Sequence, residues 1–335
     1  MSLTSTPSTR GPWRRAALGA VAAAALVATA PALSSAAGFT TQDGLETRCT
    51  GVAGPVTVPT NLVVPAGQTC FLQGTVVQGD VDVRAGANLV AESGATIEGD
   101  VLARRDAYVE VIDGSVAGQT NLRQAFGGYA EGSDLAVVDV RNSGFFYTLD
   151  VTQADYTAVN SETSLESSWV AGDITTRGGL LTDVHDTVVE GRLTVREAEL
   201  GSLLCASEFD DRVVVRDSGG VVQVGDGIYA GCDGNVFASS LTLQGNVTDE
   251  GTHVSDNVIR GNLACSDNDP APVGEGNRVR GQATGQCADL QPAMTGSRFA
   301  PQGADRTADT EQQLEQRSAQ AREAAEKIGP AGIGR

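Results

Sequence analysis

An eight-residue phrase returns along this chain at a nearly fixed interval. VVQGDVDV at 76–83 is followed by TIEGDVLA at 96–103, with Gly79 and Gly99 twenty residues apart. Relatives of the phrase stand at 115–122 (SVAGQTNL), 169–176 (WVAGDITT), 188–195 (VVEGRLTV), 258–265 (VIRGNLAC) and 278–283 (RVRGQA). Glycine takes positive φ easily, and Asp or Asn after it bonds local backbone, so Gly-Asp reads as a bend. Alternation after the bend sends Val81, Val83, Val101, Ile174, Leu193, Val195 and Leu263 to one face of their strands. A period of 19 to 20 residues with that alternation predicts an all-β solenoid whose identical positions stack from rung to rung. An antiparallel sandwich or barrel would need hairpin signals about every 8 to 12 residues, and none recurs.

Composition fits thin stacked layers. Aromatic residues are only 4% of the 335, whereas glycine contributes 41. The span from Cys49 to Cys287 would hold roughly twelve rungs and rise about 55 Å at the strand spacing. The phrase is lost between Arg123 and Ser168, where irregular rungs with longer loops are expected, and it blurs again over 200–235.

The first 37 residues read as an export signal. Arg10, Arg14 and Arg15 precede an apolar run over Ala16–Ala30, and small residues at Ser34–Ala37 suit cleavage. The run is short of the about 20 apolar residues a membrane span needs, so the mature chain is expected to cross no membrane. All 42 acidic residues follow this segment, in a chain of net charge −19. Such a surface repels nucleic-acid phosphates and anionic headgroups.

Six cysteines lie beyond the signal, and an even count behind an export signal implies bridges. Separations near one rung favour Cys49–Cys70, Cys205–Cys232 and Cys265–Cys287. Zinc is disfavoured because no C-x-x-C occurs and only His185 and His253 could add nitrogen ligands. No metal or other cofactor is expected.

The domain reading is therefore a signal at 1–37, a lead-in at 38–48, the solenoid at 49–287, and a linker and polar helical or disordered tail at 288–335. In that tail, 309–328 reads as a helix with Asp309 or Thr310 at its start and Gly329-Pro330 as its stop. Its apolar stripe is thin, with Leu314, Ala321 and Ile328 at heptad spacing, together with Ala324 and Ala325. A free, fraying helix is the expectation, and weak self-association the sharper alternative.

The G-D-V rungs resemble bactofilin-like, polymer-forming solenoids. The mature chain resembles more closely a group of secreted actinobacterial proteins with G-(D/N)-L/V rungs and an ending like GNLACSDNDPAPVGEGNRVRGQATGQC at 261–287. That resemblance implies a right-handed parallel β-helix and no particular activity. The export signal and the cysteine pairs depart from bactofilins, so polymerisation is not carried over.

Candidate chemistry is sparse. Asp210-Asp211, Gly251-Thr252-His253 and Arg278-Val279-Arg280 follow the order of pectin-hydrolase motifs, and paired carboxylates could cleave a glycoside. The second glycine, the lysine and the Asn-Thr-Asp that such motifs need are absent, which favours a solvated acidic loop. Asp226, Asp233, Asn235 and Asp249 could offer oxygens to calcium, but turn chemistry explains them better. Phe145-Phe146-Tyr147 reads as core packing, with a sugar-stacking platform as the rival. The functional expectation is a secreted, non-catalytic structural or adhesive module, at the cell surface or in the medium, with extracellular or cell-wall polysaccharide as candidate partner. The alternative is a polysaccharide-active enzyme of the pectin-lyase-like type.

Overall fold

The computed structural model describes residues 46–229, 231–292 and 307–333. The segment read as an export signal, the expected lead-in up to residue 45 and the stretch 293–306 lie outside the described residues. From Thr47 to Gly285 the chain winds as a parallel β-solenoid of about thirteen turns. A typical rung has short strands at Val76–Val77 and Val81–Val83, a corner, and a third strand at Asn88–Glu92. The first two belong to a 22-stranded sheet and the third to an 11-stranded sheet. All seven residues assigned inward from the alternation are buried in the single stacked core.

The Gly-Asp phrase has a specific mechanical meaning. The Asp80 carboxylate accepts the backbone N–H of Asp100 at 2.8 Å, one rung on, and Asp100 accepts that of Gln119 at 2.7 Å. Asp155, Asp173 and Arg192 continue the series at 2.9 and 2.8 Å. The Asp80, Asp100 and Asp155 carboxylates fill the space over the next glycine. A Cβ on Gly99 would lie 2.4 Å from the Asp80 oxygen and 2.6 Å from the Gly79 carbonyl. Glycine thus allows the close approach, and the acid uses it to satisfy a donor freed by the bend.

Two further columns of polar side chains run up the corners. On one, the Ser168, Thr187 and Ser207 amides donate in turn to Thr187, Ser207 and Asn235 at 3.3, 3.1 and 2.9 Å. Asn235, Asn257 and Asn277 then link amide to amide, each at 3.0 Å. On the other, Asn246 donates to Asn268 at 2.9 Å and Asn268 to Gln286 at 3.0 Å. Buried amides are stable here because every rung supplies the next partner.

The stretch where the phrase disappears is a correction to the sequence reading. Its rungs are shorter, not looser. Thr120, Val138, Tyr156 and Ile174 stack in register 18 residues apart. The bend is replaced by long strands at Ser115–Arg123, Asp134–Arg141 and Thr152–Val159. The long excursion comes later, where Val213 pairs with Leu241 after 28 residues.

The tail is the second correction. A helix spans Ala308–Ile328. It starts after Thr307, which makes no side-chain capping bond, rather than at Asp309 or Thr310, and stops at Gly329, whose N–H reaches the Ala325 and Glu326 carbonyls at 3.1 Å. It is not free. It crosses the outer face of the 11-stranded sheet, with Thr310 donating to Glu162 at 3.3 Å, Arg317 to Asn88 at 2.8 Å and Arg322 to Glu110 at 2.6 Å. Its 21 residues measure about 32 Å at 1.5 Å each. The strands from Glu162 back to Val52 are six spacings apart, or about 29 Å. Helix and stack match in length, so one straight strap covers seven rungs. Of the expected apolar stripe, Ala321 and Ala325 are buried at the contact, while Ile328 is exposed.

Candidate functional site

The cysteines form three disulfides, Cys49–Cys70, Cys205–Cys232 and Cys265–Cys287, with Cα separations of 5.4, 4.8 and 5.2 Å. None joins two residues that face each other in register. Cys70 stands opposite Gly51, two residues past Cys49, and Cys265 stands opposite Gly285, two residues before Cys287. These two bridges run diagonally into the ends of the core. Cys205 follows the inward Leu204 and faces outward, so its bridge pins the 226–235 excursion against the outer face.

The pectin-hydrolase candidates do not converge. Asp210 and Asp211 lie exposed at a bend of the larger sheet, and His253 sits in the smaller sheet with Nε2 3.0 Å from the Glu250 carbonyl. Phe209, Phe237, Ile259 and Val279 are successive register partners, which puts Arg280 three rungs from Asp210. The calcium candidates are likewise dispersed. Asn235 belongs to the buried amide column, and Asp226 accepts its neighbour Gly227 N–H at 2.9 Å. Among the described residues no group of three His, Cys, Asp or Glu side chains could hold a metal ion. Among the described residues fourteen non-glycine residues take positive φ, seven of them Asp and two Asn, which is the turn role expected of these types.

The aromatic run divides by alternation. Phe146 points into the core against Tyr156, ring centroids 6.2 Å apart. Phe145 and Tyr147 point outward, yet both are buried. With Tyr108 and Phe126 they form an edge-to-face series on the smaller sheet. The helix covers it: the Arg317 guanidinium lies 5.2 Å from the Phe126 ring centre and that of Arg322 lies 5.9 Å from Phe71. Buried acids complete the contact. Glu110 accepts from the Tyr108 hydroxyl at 2.8 Å and from Arg322, which also reaches Glu92 at 3.2 Å; Glu162 accepts from Tyr147. Burial first, then the Glu110 charge, pushes the Tyr108 hydroxyl far above its ordinary pKa. Burial and Glu162 do the same to Tyr147. The candidate sugar platform is therefore occupied by the chain's own helix.

The exposed aromatic is elsewhere. Trp169, 47% exposed, stands on the larger sheet between its register partners Thr152 and Val188. The inward Val170 beside it fixes its outward direction, a signal already present in the phrase WVAGDITT. Trp169 is the one exposed aromatic side chain among the described residues. It borders a groove of about 420 Å³ with Asp150, Thr152, Ser167, Asp186 and Glu190. A second groove of about 410 Å³ shares Thr152 and has a floor of Ala117, Ala136, Ala154 and Ala171. Together they make a shallow trough along the stack, apolar at one end and acid-rimmed around an indole at the other.

No family model, no curated protein and no solved structure matches the chain. The trough offers a flat apolar ring face, carboxylate acceptors and hydroxyls that both donate and accept. That combination suits a ligand with apolar faces and many hydroxyl groups.

Proposed function

We propose that the mature chain acts outside the cell as a non-catalytic, disulfide-braced rod that adheres to polysaccharide through the Trp169 trough. The observation that carries this reading is an indole left exposed in a protein that buries its other described aromatic rings wholly or in part. Leaving a Trp in water forgoes a large hydrophobic gain, which is expected where a partner will cover it. Sugar rings present C–H faces to the indole and hydroxyls to Asp150, Asp186 and Glu190. The trough runs along the stack, across successive rungs, as an extended polymer requires. Three disulfides support an extracellular setting.

A glycan array probed with the mature protein and with Trp169→Ala tests the proposal. Binding to an extracellular polysaccharide, weakened at least about tenfold by the substitution, is expected from loss of a central aromatic anchor. Retention by Trp169→Ala of full binding would remove the trough from the reading. Release of shortened oligosaccharides would replace adhesion with the enzymatic alternative.

A further inference from the structure

A stack of parallel strands ends in rows of unpaired backbone groups, and each row is a template for another strand. At the N-terminal end one row runs along Gly51–Ala53. It is occupied by the tail beyond the helix. Val52 N–H donates to the Gly329 carbonyl at 2.9 Å, and the Val52 carbonyl accepts from Ala331 N–H at 2.7 Å. Val52 and Pro330 thus form a parallel bridge. Ile333 is buried against the end of the interior core, and Ala331 packs beside it. Both polar groups of Val52 face away from the next rung, since N–H and C=O of one residue in a parallel strand point to the same neighbour.

We infer that Gly329–Ile333 is a self-supplied stopper on a strand-accepting edge, and that the alternative occupant is the last rung of a second copy. The polarity argues for that occupant. The edge already takes its strand in parallel, and the last rung of another copy, stacked head to tail, arrives in the same direction. In the same smaller sheet as Gly51–Ala53, the last strand is Gly251–Ser255, followed by the parallel bridge of His253 to Val273. The last strands of the larger sheet, Arg278–Val279 and Ala283–Gly285, pair on one side only among the described residues. Head-to-tail contacts do not close, so the assembly would grow as a filament. The stopper is held lightly: two backbone bonds, Ile333 and Ala331 secure it, and in the helix that carries it only Ala321 and Ala325 are fully buried. Such an element opens locally far more easily than the core.

The test is a mature chain ending at Ile328, which keeps the helix over the aromatic face and frees only the edge. Mass in solution is measured across concentration by sedimentation, with circular dichroism to confirm the fold. Full-length protein should stay monomeric, and the shortened chain should at least double its average mass as concentration rises. Val52→Pro in the shortened chain removes the outward donor while sparing the bonds to the next rung, and should restore the monomer. Ile333→Asp in the full chain should act as the truncation does, which keeps the test valid if the shortened chain folds poorly. A shortened chain and an Ile333→Asp chain that both remain monomeric would overturn the inference. So would self-association of the full chain to the same extent, or an association that Val52→Pro leaves unchanged.

Discussion

Arg322→Ala should release the strap without harming the solenoid. The Arg322 guanidinium joins the helix to two carboxylates, Glu110 at 2.6 Å and Glu92 at 3.2 Å. Burial disfavours its charge, but Glu110 and then Glu92 outweigh that and hold the guanidinium above its ordinary pKa. Glu110 is only 2% exposed, so removing its cationic partner strands a buried acid. Breaking a fully buried pair costs about 3–5 kcal/mol. Here Glu92 and Arg322 sit at a partly wet rim, with side chains 23% and 27% exposed, and the helix can lift to let water in. About 2 kcal/mol is therefore expected, or roughly a 30-fold rise in helix opening at 1.36 kcal/mol per decade. Hydrogen exchange over 307–333 should accelerate by that factor, while strands such as Leu193–Arg196 exchange as before. Arg322→Lys keeps the charge but loses the planar fork, so its acceleration should fall between the two. Unchanged exchange of the helix in Arg322→Ala would refute the reasoning and mean that Ala321 and Ala325 hold the strap alone.

Gly99→Ala places a methyl 2.4 Å from Asp80 and 2.6 Å from the Gly79 backbone and should destabilise by about 1–3 kcal/mol, whereas Gly54→Ala meets nothing within 4 Å; urea denaturation compares the two. Removing Cys265–Cys287 by double alanine substitution should cost about 3 kcal/mol and speed exchange at 258–285 before the middle of the stack, and early exchange in the middle instead would refute the clamp. Burial raises the hydroxyls of Tyr108, Tyr129, Tyr147 and Tyr156 above their ordinary range. Their contribution to stability is thus complete below about pH 10 and is lost as pH rises beyond it, because the unfolded chain ionises first. Ultraviolet titration should show four tyrosines still protonated near pH 11 in the native protein.

The repeat was legible because stacking makes each rung constrain the next. Identical inward positions and a glycine under each acid leave the period written in the sequence, as at Gly79-Asp80 and Gly99-Asp100. The middle rungs were misread because the period was inferred from the bend. Once strands such as Asp134–Arg141 run straight, the bend signal vanishes while the stacking persists. The docked helix was not legible for a different reason. Its contact face is made of Arg317, Ala321, Arg322 and Ala325, of which the thin apolar stripe held only the two alanines. It becomes one only opposite Glu92, Glu110 and Phe126, residues some two hundred positions away. Trp169 was visible in the phrase but was overshadowed by the denser cluster at Phe145–Tyr147, whose outward members the helix hides.

The bridges mark where the periodic argument fails, and this accounts for their number and place. A rung inside the stack is held by two neighbours, whereas a terminal rung has one and frays first. Cys49–Cys70 ties the first rung to the second, beside the edge that Pro330 also covers. Cys265–Cys287 ties the last full rung to the chain leaving it, beside the Asn268–Gln286 contact. The third weak point is the 28-residue rung, and Cys205–Cys232 closes it from outside, where the inward positions are already filled by Leu204 and Val224. Covalent links at both ends and at the one long insertion are what a thin core with few aromatic rings needs. It follows that reduction should not melt the rod at once. It should loosen both ends and the 226–235 excursion first, leaving the regular rungs between Val76 and Arg196 as the last structure to go.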